Sequence, residues 1–181
     1  GARLLQSNRA RRRGDRYSGG GDGQSHRGDR PGGGRLVTPA RHPGAAAVVP
    51  FLDDPASADP RVLLIRQFRH ATDGYLWEIP AGRREHNEPP LDTAHRELRE
   101  ETGYTATTMT RLTQIWTTPG FTDEVIHIYQ ATGLTVGRQQ LDHDEVLEVI
   151  ELPLLEAIKM IETGAIRDAK SIVGLQTIYL R

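Results

Sequence analysis

The chain has 181 residues, a formal net charge of −1 and no cysteine. This length supports one domain with a sizeable core, and the lack of cysteine excludes a disulfide framework and a thiolate zinc site. No apolar run approaches the 18 residues of a membrane helix, and no secretory apolar region follows the early arginines, so we expect a cytoplasmic location and no membrane partner.

Charge is distributed unevenly along the chain. Residues 1–44 carry ten arginines and three aspartates, a charge of +7, whereas the remainder carries 13 basic and 21 acidic residues, a charge of −8. The early segment is also rich in glycine and poor in large apolar residues, a composition typical of disorder. We therefore expect a disordered Arg/Gly-rich segment over residues 1–43 and one domain over residues 44–181. A basic arm for nucleic acid is the alternative, but the acidic body argues against it.

From residue 44 onward the hydrophobic pattern alternates between strands and helices. The predicted strands are Ala45–Leu52, Arg61–Gln67, Leu76–Ile79, Met109–Trp116, Glu124–Ala131 and Leu147–Leu152. The predicted helices are Pro90–Thr102, Leu154–Ile161 and Asp168–Leu180. This order predicts an α/β fold in which a mixed β-sheet lies between helices.

The first predicted helix has well-marked ends. Pro89 and Pro90 suit its start, where an N–H would have no partner within the helix. Gly103 suits its end, where a residue in the left-handed conformation closes the last turn. We therefore expect the helix to occupy residues 90–102.

Three glutamates are crowded on this helix. Glu97 and Glu101 are four residues apart, so both carboxylates project from one face, and Glu100 lies nearby. Such carboxylates repel each other unless a positive group lies among them. Mg²⁺ is a natural candidate, because it is a hard cation that binds carboxylate, water and phosphate oxygens. Arg96 is placed four residues before Glu100, where it can hold that side chain by an ion pair.

An ordinary solvated acidic face is the alternative for this helix. Arg96 and Arg99 would then balance the glutamates as surface ion pairs. That interpretation explains the charges, but it does not explain the glycine and the glutamate that precede the helix at fixed distances, Gly82 and Glu88.

The helix belongs to a longer spaced pattern, G-x5-E-x7-R-E-U-x-E-E-x-G-U, in which U is a bulky apolar residue. The matching residues are Gly82, Glu88, Arg96, Glu97, Leu98, Glu100, Glu101, Gly103 and Tyr104. At roughly 1 in 15 per fixed letter, a chance match to the fixed letters occurs about once in 10^8 starting positions. The pattern resembles the Nudix box, the signature of hydrolases that cleave nucleoside diphosphates linked to another group. The resemblance implies a Nudix α/β/α sandwich and a metal-dependent phosphoanhydride site.

Four further stretches resemble the ADP-ribose pyrophosphatase subgroup of that family, namely Ile65–Arg69, Trp77–Gly82, Thr118–Glu124 and Asp168–Ser171. Pro119 also falls 16 residues after Gly103, the offset associated with ADP-ribose activity in the family. The resemblance implies hydrolysis of ADP-ribose to AMP and ribose 5-phosphate. The alternatives are another nucleotide sugar, such as GDP-mannose, and a non-catalytic nucleotide-sensing module.

The resemblance also implies a metal-binding set. Glu97, Glu101 and the backbone carbonyl of Ala81 would bind the divalent metal, with Glu100 as a further ligand or outer partner oriented by Arg96. The expected cofactor is Mg²⁺, with Mn²⁺ as an alternative.

The substrate-binding residues come from the same resemblance. Arg69 would contact the diphosphate or the terminal ribose, and Arg66 lies in the same stretch. Glu78 would hydrogen-bond the nucleotide, Glu124 would accept from a ribose hydroxyl, and Phe121 would line the pocket.

In the subgroup, the general base comes from an acidic loop before a late strand, which here contains Asp142, Asp144 and Glu145. A base on a loop reaches the attacking water only when substrate closes the site. We expect Glu145 first, then Asp144, then Asp142, because the longer side chain tolerates more loop geometries.

The subgroup commonly forms dimers, in which strands preceding the catalytic domain swap between subunits and help to hold the adenine. Here that region is rich in arginine and glycine and does not read as strands. A homodimer is therefore an expectation from the resemblance alone, alongside a small-molecule nucleotide-sugar partner.

Overall fold

The structure, a computed structural model, describes residues 38–141 and 147–181. Most of the predicted Arg/Gly-rich segment, residues 1–37, and the core of the predicted acidic loop, residues 142–146, lie outside the described residues. In the described part of the chain, no helix is long and apolar enough to cross a membrane.

The described residues form seven strands and three α-helices. The strands are β1 (Ala45–Pro50), β2 (Arg61–Arg69), β3 (Gly74–Glu78), β4 (Ala81–Arg83), β5 (Tyr104–Trp116), β6 (Val125–Val136) and β7 (Leu147–Pro153). The helices are α1 (Pro90–Thr102), α2 (Leu154–Glu162) and α3 (Ala169–Tyr179), with a 3-10 turn at His70–Thr72.

The strands form two sheets. The first has the order β4-β1-β6-β5, with β1 and β6 parallel and the other pairs antiparallel. The second is antiparallel and has the order β3-β2-β7. An isolated bridge between Phe51 and Val62 connects the end of β1 to the start of β2. The predicted α/β class with a mixed sheet is confirmed.

Strand β1 lies at the centre of the core, and all six of its residues are buried. Ala46 and Val48 pack in a cluster with Leu98 of α1, whereas Val49 packs in a second cluster with Leu175 of α3. A strand covered on both faces reads as a continuous apolar run instead of an alternating one, which is why a strand was recognisable here. It ends at Pro50, two residues before the predicted end at Leu52.

Helix α1 has the predicted bounds. Proline occupies its first turn, and Gly103 caps its end with a φ of 78°, donating its N–H to the carbonyl of Arg99 at 2.9 Å. The two ends were predictable because both caps are set by local backbone chemistry.

The prediction for β5 was wrong at its start. The strand begins at Tyr104, immediately after the helix cap, and pairs with β6 up to Val136. The start of β5 is hard to recognise from the sequence because its outward positions are polar. Thr105 and Thr107, for example, are both exposed. Strand β4 was not predicted, since three residues carry too little pattern; it exists because it pairs with β1.

Candidate active site

A cleft of about 330 Å³ lies between strands β2 and β4 and helix α1. It is lined by Gln67, Arg69, Ala81, Gly82, Arg83, Glu85, Arg96, Glu97, Glu100, Glu101 and Gln140. The fold therefore brings the predicted metal-binding set together with one predicted substrate-binding residue, Arg69. The other residues of the lining lie on segments whose closeness to α1 could not be predicted from their spacing in the sequence.

Two of the helix carboxylates are buried. Glu97 is 8% exposed and Glu101 is 4% exposed. An Oε2 atom of Glu101 accepts a hydrogen bond of 2.8 Å from the backbone N–H of Ala81, which joins the helix to the start of β4. This burial contradicts the alternative of a solvated acidic face.

Arg96 connects Glu88, which precedes α1, to two glutamates of the helix itself. Its Nε and Nη2 atoms donate to the two oxygens of Glu88 at 2.9 and 3.0 Å. Its Nη1 atom donates to Glu97 at 2.7 Å and to Glu100 at 3.1 Å, and Nη2 also reaches the carbonyl of Arg83 at 3.0 Å. Only a planar guanidinium offers so many donors in a fixed fork. The predicted Arg96–Glu100 pair is present as one part of this network.

The network shifts the ionisation of its members. Hydrogen bonds from Arg96 lower the pKa of Glu88 from 4.5 to about 2, and they raise the pKa of Arg96 above its ordinary value. Glu88 also accepts from the hydroxyl of Thr93 at 2.8 Å. Glu88 is therefore an anchor for Arg96, and it stays charged throughout the neutral range.

Gly82 makes room for Glu97. A β-carbon built on Gly82 would lie 1.9 Å from Oε1 and 2.1 Å from Cδ of Glu97. Any side chain at Gly82 would thus fill the space that the Glu97 carboxylate occupies.

The oxygen donors around the cleft fit a divalent cation of the hard class. Among residues 38–141 and 147–181, no three acidic or histidine side chains converge as a complete ligand cage. Mg²⁺ does not require such a cage, because one or two carboxylates plus water and substrate phosphate suffice. Glu97, Glu100 and Glu101, beside the backbone of Ala81, supply that kind of partial set.

A second charged network lies on the other side of the cleft. Arg69 donates from Nε and Nη2 to the two oxygens of Glu78 at 2.7 and 2.8 Å. Glu78 is 1% exposed and also accepts from Lys170 of α3. Burial by itself raises the pKa of Glu78, but the hydrogen bonds and charges of Arg69 and Lys170 outweigh it, so that its pKa lies below the ordinary value.

The family model of the NUDIX domain matches residues 41–173. The chain belongs to the NUDIX domain family. Five residues of its Nudix box line the cleft, namely Gly82, Arg96, Glu97, Glu100 and Glu101.

Three curated relatives were compared with this Nudix chain. An ADP-ribose pyrophosphatase of Bacillus subtilis is 41% identical over 78% of this chain and 75% of its own length. A methanol dehydrogenase activator of Bacillus methanolicus is 40% identical over the same shares, 78% and 75%. A GDP-mannose pyrophosphatase of Cronobacter sakazakii is 38% identical over 66% and 67%.

The crystal structure of an ADP compounds hydrolase superposes on this chain with a TM-score of 0.67. The two share 25% sequence identity, and the match covers 76% of this chain and 71% of that one. The chain is thus a Nudix pyrophosphohydrolase with the Nudix fold.

Arg66 lies outside the Nudix cleft. Its guanidinium stacks 4.4 Å from the ring centre of Tyr75 and 5.6 Å from that of Trp77, and its Nη1 atom lies 3.4 Å from Glu148. The predicted contact of Arg66 with substrate stays a prediction. The direct contact of Glu78 with the nucleotide also stays a prediction; in the structure, Oε1 of Glu78 accepts from Arg69, and Oε2 accepts from Arg69 and Lys170.

The loop after the box carries Phe121 and Glu124, and neither lines the cleft. Phe121 is 60% exposed, and Glu124 accepts from the hydroxyl of Thr117 at 2.8 Å. Residues just before β1 hold this loop, since Ala40 donates to the carbonyl of Phe121 at 2.7 Å and Arg41 pairs with Asp123 at 2.7 Å. The proposed substrate contacts of this loop stay predictions.

The three candidate bases, Asp142, Asp144 and Glu145, lie outside the described residues. The segment leading toward them is anchored to the end of α1. Gln139 donates to the carbonyl of Glu101 at 2.6 Å, and the N–H of Gln140 donates to the carbonyl of Glu100 at 2.9 Å.

Sequence reasoning assigned no role to four residues that line the cleft, Gln67, Arg83, Glu85 and Gln140, or to Lys170, which binds Glu78. Gln67 reaches the cleft from β2, and its buried Oε1 atom has no hydrogen-bond partner within residues 38–141 and 147–181. Two of the stretches that resemble the subgroup contained such residues without assigning them a role, Ile65–Arg69 for Gln67 and Asp168–Ser171 for Lys170.

Proposed function

We propose that this Nudix enzyme hydrolyses the diphosphate of ADP-ribose and releases AMP and ribose 5-phosphate. The observation that carries the proposal is the placement of the Arg69 guanidinium and the buried box glutamates in one cleft. A diphosphate needs cationic partners on both phosphates, and the arginine together with a metal at the glutamates would supply them.

The proposed metal is Mg²⁺, with Mn²⁺ as an alternative. Glu97, Glu101 and the Ala81 carbonyl would hold it, with Glu100 as a further ligand. When bound, a divalent cation neutralises the diphosphate and lowers the pKa of a bound water.

The protein groups then have distinct tasks. Arg69 binds the diphosphate, and Glu78 orients Arg69 from the buried side. Arg96 orients Glu97 and Glu100, which by themselves would repel each other. A carboxylate of the acidic loop accepts the proton of the attacking water, with Glu145 ahead of Asp144 and Asp142. The water oxygen bonds to one phosphorus as the bridging P–O bond breaks.

Contacts beyond the diphosphate are proposed for Glu124, Phe121 and Arg66, which lie outside the cleft of the single chain. Glu124 would accept from a ribose hydroxyl, and the other two would contact the nucleotide. We also propose a homodimer and a cytoplasmic location, which sedimentation of the full chain and cell fractionation would test.

The substrate is tested by product analysis of the purified protein with Mg²⁺ against ADP-ribose, GDP-mannose, NADH and diadenosine polyphosphates. The expected result is AMP released preferentially from ADP-ribose. Preferential release of GMP from GDP-mannose would move the substrate to that of the Cronobacter relative. No turnover of any substrate by a folded protein would favour a nucleotide-sensing module.

A further inference from the structure

The first turn of α3 is docked onto the strand that leads to the Nudix box. Asp168 caps this helix, and its Oδ2 atom accepts from the N–H of Ser171 at 3.0 Å and from its hydroxyl at 2.5 Å. The Ser171 oxygen in turn accepts from the N–H of Ile79 at 2.8 Å. Ser171 is fully buried, so the start of α3 has a defined position relative to β3.

Lys170 lies in this turn with its ammonium group buried. It binds Glu78, and its Nζ atom lies 3.0 Å from Oδ2 of Asp168. Its side chain is 10% exposed, and that of Glu78 is 2% exposed. Lysine is almost never buried unless it is paired. The burial of this ammonium group is therefore explained by its ion pairs with Glu78 and Asp168.

Glu78 connects Lys170 to the cleft. Its Oε1 atom accepts from Nε of Arg69, whereas its Oε2 atom accepts from Nη2 of Arg69 and from Lys170. A two-pronged arginine–carboxylate pair requires the two planar groups to be aligned. The lysine fixes the plane of the carboxylate, and the carboxylate fixes the guanidinium that lines the cleft.

Charge leads to the same conclusion. Arg69, Glu78, Lys170 and Asp168 together carry two positive and two negative charges, so loss of the Lys170 ammonium group would leave the network with a net charge of −1. Without Lys170, Glu78 would pair with Arg69 alone, and Arg69 would attract an anion in the cleft more weakly.

We propose that Lys170, which does not line the cleft, is a positioning residue for the diphosphate site and acts through Glu78 on Arg69. This inference rests on the proposed function, in which Arg69 binds the diphosphate. It assigns a task in substrate binding to the C-terminal helix.

The test is a double-mutant cycle between Lys170→Met and Arg69→Met, measured as KM and kcat for ADP-ribose with Mg²⁺. Lys159→Met is a matched control, because Lys159 is the other lysine of the chain and is exposed on α2. Lys170→Arg tests rescue by a conserved charge. Thermal unfolding of every variant shows whether it is folded, and Lys170→Gln replaces Lys170→Met if the latter is not.

We expect Lys170→Met to raise KM about tenfold while kcat changes by less than about threefold, with Lys170→Arg close to wild type and Lys159→Met unchanged. In the Arg69→Met background, Lys170→Met should raise KM no further. An equal rise in both backgrounds, or no rise in either, would overturn the proposal, because the lysine would then act independently of Arg69.

The proposed function can fail separately. If the wild type cleaves another nucleotide sugar, the same cycle is run with that substrate. If it cleaves none, the cycle is measured as the dissociation constant of inorganic pyrophosphate. A smaller effect of Lys170→Met in the Arg69→Met background than in the wild type supports the positioning role, and equal effects in the two backgrounds overturn it.

Discussion

Oε1 of Glu97 lies 1.9 Å from the point where a β-carbon on Gly82 would stand. The first glycine of the box and the first glutamate of its helix are therefore one structural unit, although 14 residues separate them in the sequence. The glycine is required here for space, because the carboxylate occupies the volume that a side chain would take.

Gly82→Ala should displace the Glu97 carboxylate and lower kcat by about 100-fold, the upper end of the losses seen when groups that orient metal ligands are changed. Steady-state kinetics with saturating Mg²⁺ measure the effect. Gly120→Ala is the control, because a β-carbon there meets nothing within 4 Å. Near-normal turnover of Gly82→Ala would show that Glu97 can move without loss.

Glu97→Gln should reduce turnover by about 100-fold or more at saturating Mg²⁺ and leave the domain folded. The amide keeps the size of the side chain but removes the negative charge that a divalent cation requires. Glu162→Gln, at the exposed end of α2, is the control for the charge change. A Glu97→Gln enzyme that retained its rate would remove Glu97 from the metal set.

Arg96→Lys should be harmful although the charge is kept. A lysine has three donors at one point and cannot span the two oxygens of Glu88 together with Glu97 and Glu100. We expect a loss of about 2 kcal/mol in the free energy of unfolding together with a fall in kcat. Urea denaturation and kinetics measure the two losses, and Arg99→Lys, a half-exposed site on the same helix, should change neither.

The pair of Glu88 and Arg96 should make stability depend on pH in acid. Glu88 has a folded pKa of about 2 against an ordinary value of 4.5, so its contribution is complete above pH 4.5 and is lost as the pH falls toward 2. Glu88→Gln should be less stable than wild type by about 2 kcal/mol at pH 7, and the difference should shrink between pH 4.5 and 3. Urea denaturation at stepped pH values measures it. A difference that does not change with pH would contradict the assigned pKa.

Gly103→Ala and Gly164→Ala form a matched pair, with φ values of 78° and 76°. Both introduce a side chain into the left-handed region, at a cost of about 1–2 kcal/mol. At Gly103 the new β-carbon would also lie 2.8 Å from the backbone nitrogen of Gln139, whereas at Gly164 nothing lies within 4 Å. Gly103→Ala should therefore lose at least about 1 kcal/mol more in chemical denaturation. Equal losses in the free energy of unfolding would mean that the backbone around Gln139 can move away from the new β-carbon at no cost.

Prediction from sequence succeeded where the cause is local. Helix α1 was predicted to the residue because its proline start and its Gly103 end are set by the backbone of a few neighbours. The same reasoning missed β4 and the first residues of β5. Both segments are strands because of a distant partner, β1 for Ala81–Arg83 and β6 for the threonine-rich run after Gly103.

The sequence by itself determined the family, the reaction class and the acidic face of α1, since the spacing of the box is fixed along the chain and the helical repeat converts it into geometry. Only the tertiary structure decided that Glu78 binds Arg69 through both oxygens, that the Glu97 carboxylate occupies the space beside Gly82, and that Lys170 binds Glu78 from 92 residues away. Such contacts depend on how the sheets and helices pack, and the number of residues between two positions does not predict the distance between them in the packed fold.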